Sequence, residues 1–459
     1  MGYKYPTKRY FHIDPILFYT DEVKSYVENP ECISRHGFLP FLKYTISYTK
    51  FAGHNKNVAE KRKTKDRPIM FASHIDSFIY SHYGTDISEK YNEWTSSHNI
   101  DECSIAYRNN KKGKSNIQFA AEVIKEIIQC GKCYIFVGDF SKFFENIEHR
   151  QLKRCLKDVL QVSELPRDYY QVLKSLMKFS YVDLKKLRIW LTAQKINYEK
   201  NKRYFLEAKD FRAFKTSTKL VQKNIDMVGI PQGSAMSGLL ANIYMIHADE
   251  AINRIVQAYN GLYRRYSDDF IVVIPYHNVS STMVFKDIIE EIIDVCKNAN
   301  VMLHQDKTNK YLYEEGSIKS FDLDKGIDSA LTYLGFRFDG KNVMVRQSCV
   351  YKFYREARDV IQLAKRRSEN KNTKVLLYQP LINRLFMDTG SKTYWDKKRK
   401  RIKYGNFISY MIRSQKEFEK IDGITCQISE QIKHRRKIIQ QYIHAKQELN
   451  NRNQKNLAK

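Results

Sequence analysis

Three aspartates carry the chemistry that this sequence offers first. Asp139 follows the apolar run 133–137 and a single glycine, and the adjacent pair Asp268-Asp269 sits between two strand-like runs, 262–266 and 270–274. Carboxylates are hard oxygen donors suited to divalent cations. Transfer of a nucleotide to a growing chain needs two such ions about 4 Å apart, one to activate a 3′-hydroxyl and one to hold a triphosphate. If the strand ending at Asp139 lay beside the hairpin that carries the pair, all three acids would share one edge of a sheet. Taken singly, an Asp at a strand end or in a turn is ordinary turn and cap chemistry.

The elements that must position these acids are legible as periodicities. Ser115 with Gln118 three residues on forms a capping box, and Ile117, Ala121, Ile124 and Ile128 give the helix behind it one apolar face, up to a stop at Gly131. A helical pattern starts near Glu148. Pro231-Gln232-Gly233-Ser234 reads as a tight turn before a helix running to Asn260-Gly261, and Ser267-Asp268-Asp269 as a hairpin turn. Helical periodicity returns from about 283 to 299, followed by a strand at 301–303. A second hairpin is expected from the strands 333–338 and 342–346 around Asp339-Gly340. Upstream, residues 54–67 form a basic, turn-rich loop before a short strand at 68–72. The stretch 181–225, rich in Lys, Arg and Tyr with weak periodicity, reads as a surface insertion.

With 459 residues, 42% hydrophobic and 28% charged, the chain has the composition of a folded protein of two or three packed units. Lys and Arg outnumber Asp and Glu by 79 to 51, a formal charge of +28 that attracts polyanions by counterion release. From residue 351 onward the surplus is 17, and Leu376, Leu377, Leu381, Leu385, Phe407, Met411 and Ile424 offer a small core for a basic helical domain. The eight cysteines are scattered, only Cys130 and Cys133 having metal-like spacing, which suits a reducing cytoplasm better than a zinc site. No stretch approaches the roughly 18 apolar residues of a membrane span, so no membrane partner is expected.

Read together and in order, these segments resemble the motifs of bacterial reverse transcriptases. Asp139-Phe140-Ser141-Lys142-Phe143-Phe144 resembles the first catalytic motif. Gly229-Ile230-Pro231-Gln232-Gly233-Ser234, with Ser237 and Leu240-Ala241-Asn242, resembles the second, and Tyr266-Ser267-Asp268-Asp269-Phe270 the third. The segments 303–308 and Tyr333-Leu334-Gly335-Phe336 are similar to the two motifs that follow, so the likeness spans about residues 60 to 346.

The resemblance implies an α+β right-hand polymerase with fingers and palm built of antiparallel sheet plus helices and a basic helical thumb and C-terminal region. Its domains would be 1–132 (N-terminal region and fingers), 133–346 (palm, with the insertion at about 181–225) and 347–459 (thumb and extension). It makes Asp139, Phe140, Asp268 and Asp269 the metal ligands for two Mg²⁺ ions, with Mn²⁺ a substitute. Lys307 would protonate or neutralise departing pyrophosphate. Phe144 would stand under the incoming sugar and exclude a 2′-hydroxyl, while Gln232 and Gly233 approach the templating pair. Phe140 and Tyr266 would also line the nucleotide site, and Lys65 and Arg67 would clamp the triphosphate. Arg108 and Lys114 are candidates for template phosphates, and Gly335 and Phe336 for a grip on the primer end.

Among reverse transcriptases, the maturase and endonuclease segments of group II intron proteins find no room after 351, and the Val-Thr-Gly triplet of retron enzymes is absent. The chain is most similar to the unassigned, defence-associated groups that act against phages. That likeness implies a structured non-coding RNA as template or scaffold, a DNA product made from dNTPs, and assembly as an oligomer or with a second reverse transcriptase. Three other readings stay open. An RNA-dependent RNA polymerase is disfavoured by Phe144 and by Ser267, rather than glycine, before the acid pair. An inactive palm serving as an RNA-binding scaffold is disfavoured by the three intact acids. A template-independent or protein-primed polymerase of the same family would start from a Tyr or Ser, and no candidate stands out among 32 tyrosines.

Overall fold

The computed structural model of the chain places strands at most of the runs where the sequence expects them, with the exceptions described below. It describes residues 5–51, 62–279, 281–321, 328–387, 394–396, 401–403 and 405–445. The strands that matter for the site are β1 (Phe41–Phe51), β2 (Arg62–Phe71), β3 (Lys132–Asp139), β4 (Ser180–Asp183), β5 (Val221–Lys223), β6 (Leu262–Tyr266), β7 (Asp269–Pro275), β8 (Asn309–Glu314) and β9 (Ser317–Ser320). They form two sheets, in the orders β2-β1-β4-β5 and β6-β7-β3-β8-β9. With the helices between them the architecture is α+β, as expected.

The chain divides into two compact units. The first comprises Met1–Lys112, Gly138–Val272 and Ser281–Thr308. Here β1 and β2 pair antiparallel from Leu42 opposite Phe71 to Phe51 opposite Arg62. The strand expected only at 68–72 therefore begins at Arg62, because the β-formers Thr45, Ile46, Tyr48 and Thr49 on β1 give it a full-length partner. Residues 54–61 of the expected basic loop lie outside the described residues. Helix His74–Ser97, capped by the Ser73 hydroxyl, buries Phe78, Ile79, Tyr83, Ile87, Tyr91 and Trp94.

The stretch 181–225 is more than a surface insertion. β4 pairs parallel to the start of β1 and β5 pairs with β4. Between them run the helices Leu184–Ala193, Tyr198–Asn201 and Ala208–Ser217. Their weak periodicity hides a core of aromatic residues, with Tyr204, Phe205, Phe211 and Phe214 packed on Val182, Leu187, Leu191, Ile13 and Leu42. The helix expected from the Pro231 turn to Asn260 is two helices, Ser237–Tyr244 and Ile246–Gln257, broken where the Met245 amide bonds back only three residues to Asn242. The expected strand at 301–303 is reduced to one bridge, Leu303 with Phe140.

The second unit comprises Gly113–Val137, Val273–Ser280 and Asn309–Lys459. Helix Asn116–Gln129 starts at the expected capping box of Ser115 and Gln118, and β3 pairs with β8, and β8 with β9, antiparallel. The run 333–338 is not one strand. Leu331–Tyr333 and Phe336–Phe338 form their own hairpin, turned at Leu334-Gly335, whose φ angles of 45° and 92° are both left-handed as a tight hairpin turn demands. The C-terminal region is helical as expected, led by Gln347–Asn370, but its core is set by Val350, Phe353, Ile361, Phe386, Ile408 and Phe418. Of the residues expected there Met411 is buried, Leu376, Leu377, Leu385, Phe407 and Ile424 are half-buried, and Leu381 is exposed. Among the described residues no helix is long and apolar enough to cross a membrane.

Because Phe214 is fully enclosed by the aromatic cluster, Phe214→Ala is expected to lower stability by about 3–5 kcal/mol, read as a drop in the urea midpoint of unfolding.

Candidate active site

The end of β3 and the turn of the β6–β7 hairpin are tied by their backbones. The Phe140 amide donates to the Asp268 carbonyl at 2.9 Å, and the His304 amide to the Asp139 carbonyl at 2.8 Å. These bonds bring Asp139, Asp268 and Asp269 together, as the sequence expects. Lys307, in the short 3-10 turn Gln305–Lys307, sets its Nζ 2.6 Å from Asp139 Oδ1. The Asp139 side chain is only 13% exposed, whereas that of Lys307 is 43% exposed, so the pair is buried on the acid's side and open to water on the ammonium's.

The acids are crowded enough to disturb one another. The Asp269 carboxyl, although at the open edge of the turn, is pushed up to about 7. Loss of hydration contributes most, then the negative charges of Asp268 and Asp139, and a hydrogen bond with Asp139 adds to the effect while Lys307 opposes it. Excess negative charge gathered in one place is what a divalent cation relieves, so the donor set fits metal ions of the magnesium class. Among the described residues no group of three or more His, Cys, Asp or Glu side chains is arranged to hold a metal ion, and the Lys307 ammonium pairs with Asp139.

Beside the acids opens a cleft of about 460 Å³, walled by Arg67, Ile69, Tyr107, Phe144, Gln232 and Asp268 among others. Phe144 reaches it from the 3-10 turn Phe143–Glu145, while Phe143 next to it is the buried ring. The Gln232 carbonyl accepts from the Met70 amide at 2.7 Å, docking the Pro231 turn onto β2. Gly233 has φ of 112°, and a Cβ there would stand 2.7 Å from the Met70 carbonyl oxygen, so only glycine fits. Arg67 lies on β2 opposite Ile46. Lys65 is two residues away on the same strand, opposite Tyr48, and its side chain lies outside the described residues. Tyr266, at the end of β6, is half-buried and is not among the residues lining the cleft.

Other expected site residues are placed elsewhere. The Phe140 ring is core, stacked on Phe270 at 5.4 Å, so Phe140 can serve the site only through its backbone. Arg108 is no template contact. Its side chain is fully buried over the Tyr91 ring, and all five of its N–H groups are used, on Asn92, Thr95, the Asp101 carboxylate and the carbonyls of Asp101 and Ser104. In the second unit Lys114 pairs with Glu122 at 2.7 Å and stays partly exposed. Phe336 is buried against Phe418 and Tyr410, which leaves the Leu334-Gly335 turn, open around Gly335, as the accessible part of that hairpin.

Sequence reasoning missed two residues. Tyr107, with φ of 57°, shows a half-exposed ring to the cleft, held over Gly238, where a Cβ would strike the ring, and with its hydroxyl 3.3 Å from the Ser267 Oγ. Arg265 is wholly buried and paired with Asp249 at 2.5 Å. The signal was available, because alternation along β6 puts Tyr263 and Arg265 on the inward side, and an inward arginine demands a buried acid.

A family model described as reverse transcriptase (RNA-dependent DNA polymerase) matches residues 90–338 of the chain. No curated protein matches it in sequence. Similar solved structures include an apo telomerase from Candida tropicalis truncated from its C-terminal domain, at 11% identity and a TM-score of 0.39, covering 62% of this chain and 53% of that one. Another is a telomerase from Candida albicans in complex with a fragment of telomeric RNA, at 10% identity and a TM-score of 0.44, covering 93% of this chain and 66% of that one. The chain thus spans about half of the first and just under two thirds of the second.

The steric case at Gly233 is testable by thermal unfolding. Gly233→Ala is expected to destabilise by about 1–3 kcal/mol, whereas Gly37→Ala, with nothing near its Cβ position, leaves stability unchanged or slightly raised.

Proposed function

Because this chain belongs to the reverse transcriptase (RNA-dependent DNA polymerase) family, we propose that it is an RNA-directed DNA polymerase that copies a structured non-coding RNA into DNA, in the cytoplasm, as part of defence against phages. The observation that carries the reading is the gathering of Asp139, Asp268 and Asp269, with Asp268 lining a cleft walled by Phe144 and Gln232. In this reading residues 1–132 hold the fingers, 133–346 the palm and 347–459 the thumb.

The ligand set for two magnesium-class ions is Asp139, Asp268, Asp269 and the Phe140 backbone carbonyl, and such ions would activate the primer 3′-hydroxyl and neutralise the triphosphate. The chain's own residues do the rest. Arg67, with Lys65 on the same strand, clamps the triphosphate by charge-assisted hydrogen bonds. The Phe144 ring leaves no room for a 2′-hydroxyl, which selects dNTPs. Gln232 and the bare backbone of Gly233 let the templating pair come close. Lys307, already within 2.6 Å of Asp139, offers its ammonium to the departing pyrophosphate. The positive surplus after residue 351, together with Lys114 and the Leu334-Gly335 turn, supports nucleic-acid phosphates and the primer end. A homo-oligomer or a second reverse transcriptase is the protein partner of this reading.

Primer extension on an RNA template tests the chemistry. The purified chain is expected to prefer dNTPs, and preference for rNTPs overturns the reading. Asp268→Asn should cut incorporation by at least about 10²-fold. Phe144→Ala should raise rNTP use relative to dNTP use by about 10-fold or more, as expected when one steric contact is relieved. The biological half is tested by phage challenge of cells carrying the gene. Protection should vanish with Asp268→Asn, and sequencing the nucleic acid bound to the purified protein identifies the template and any covalent primer.

A further inference from the structure

The turn that carries two of the three acids is held by a residue outside them. Ser267, immediately before Asp268, is buried with φ of 62°, a left-handed conformation that a serine adopts only when its surroundings enforce it. Its carbonyl oxygen accepts from Arg265 Nη1 at 2.9 Å. The other donors of that guanidinium are committed as well. Nε and Nη2 meet the two oxygens of Asp249 at 2.8 and 2.5 Å, Nη2 also reaches Ser104 Oγ at 3.2 Å, and Nη1 reaches Asn242 Oδ1 at 3.3 Å.

We propose that Arg265 is a positioning residue for nucleotide transfer, fixing the Asp268-Asp269 turn through the Ser267 carbonyl, with Asp249 on helix Ile246–Gln257 as its anchor. The inference rests on the polymerase reading above. An ion pair serving stability alone would need only Asp249, and the pair is already satisfied there by two bonds. The bond to Ser267 adds nothing to that pairing, but it determines where the following acid points. The Asp268 carbonyl is held on the other side by the Phe140 amide, so the turn is clamped from both flanks and its acids are aimed before any cation arrives. The backbone of Arg265 is fixed too, its amide donating to the Cys103 carbonyl at 2.7 Å and its carbonyl accepting from the Ile105 amide at 3.0 Å, so the guanidinium cannot follow a drifting turn.

Two variants separate aim from stability. Replacing both partners with apolar residues of similar size, Asp249→Leu with Arg265→Met, removes a desolvation cost and leaves no unpaired charge, although the Tyr263 hydroxyl and Asn242 Oδ1 lose a partner, so the urea midpoint should fall less than in Arg265→Met alone, which strands the Asp249 carboxylate. Arg265→Lys keeps a charge against Asp249 but cannot reach Asp249 and Ser267 together. In both, kcat for dNTP incorporation is expected to fall at least about 10-fold with KM for the dNTP nearly unchanged, and hydrogen exchange of the amides from Ser267 to Phe270 to speed up by a similar factor. A double variant with the wild-type midpoint, kcat and exchange overturns the proposal. If that variant fails to fold, wild-type kcat in Arg265→Lys does so. Fast exchange of these amides in the wild-type chain overturns it whatever the variants do. Should the wild type incorporate no nucleotide, the polymerase reading fails, while the exchange measurements still decide whether Arg265 holds the turn.

Discussion

Carboxylates repel one another, and a site that needs three of them must hold them together against that repulsion before any counter-ion arrives. Here the work is done by backbone hydrogen bonds at the end of β3, by the Lys307 ammonium on Asp139, and by the buried Arg265 beneath the hairpin turn. Loss of hydration first, and then the charges of Asp268 and Asp139, pushes the Asp269 carboxyl up to about 7, which opposes full ionisation of the three acids. The fixed turn at Gly233 and the ring of Phe144 make sense around this centre, since each limits what can approach the acids and from which side.

Much of this was legible in the sequence because it depends on local rules. A capping box, a hairpin turn and the end of an apolar run are short-range features, so Ser115, Asp139 and the Asp268-Asp269 turn were read directly. What was lost depends on how side chains meet in space rather than on a repeating local pattern. No local pattern around Arg108 says that Asn92, Thr95, Asp101 and Ser104 will use up its donors, and the rings at 204, 205, 211 and 214 make no long helical period because the first two sit in a loop and the last two on the short helix Ala208–Ser217. The hairpin at Leu334-Gly335 was missed because a leucine in the left-handed region is rare enough that sequence patterns discount it.

The two buried arginines also qualify what the charge of +28 means. Arg108 and Arg265 add to the formal total, yet each has spent every donor inside the protein and neither presents a charge to a phosphate. The positive surface open to a nucleic acid is therefore smaller than the composition suggests, and it is better judged from residues such as Arg67, at the cleft, than from a count.

The pairing of β1 with β2 has a bearing on how this protein tolerates change. Ten cross-strand pairs, running from Leu42 opposite Phe71 up to Phe51 opposite Arg62, and the bond from the Met70 amide to the Gln232 carbonyl set the register of β2 without help from the connection between Phe51 and Arg62. Lengthening that connection costs little, roughly 0.6 kcal/mol for each doubling. A slip of the strand by one residue would instead turn Arg67 and Ile69 away from the cleft. The length of that connection can therefore change while Arg67 keeps its place on the wall of the cleft.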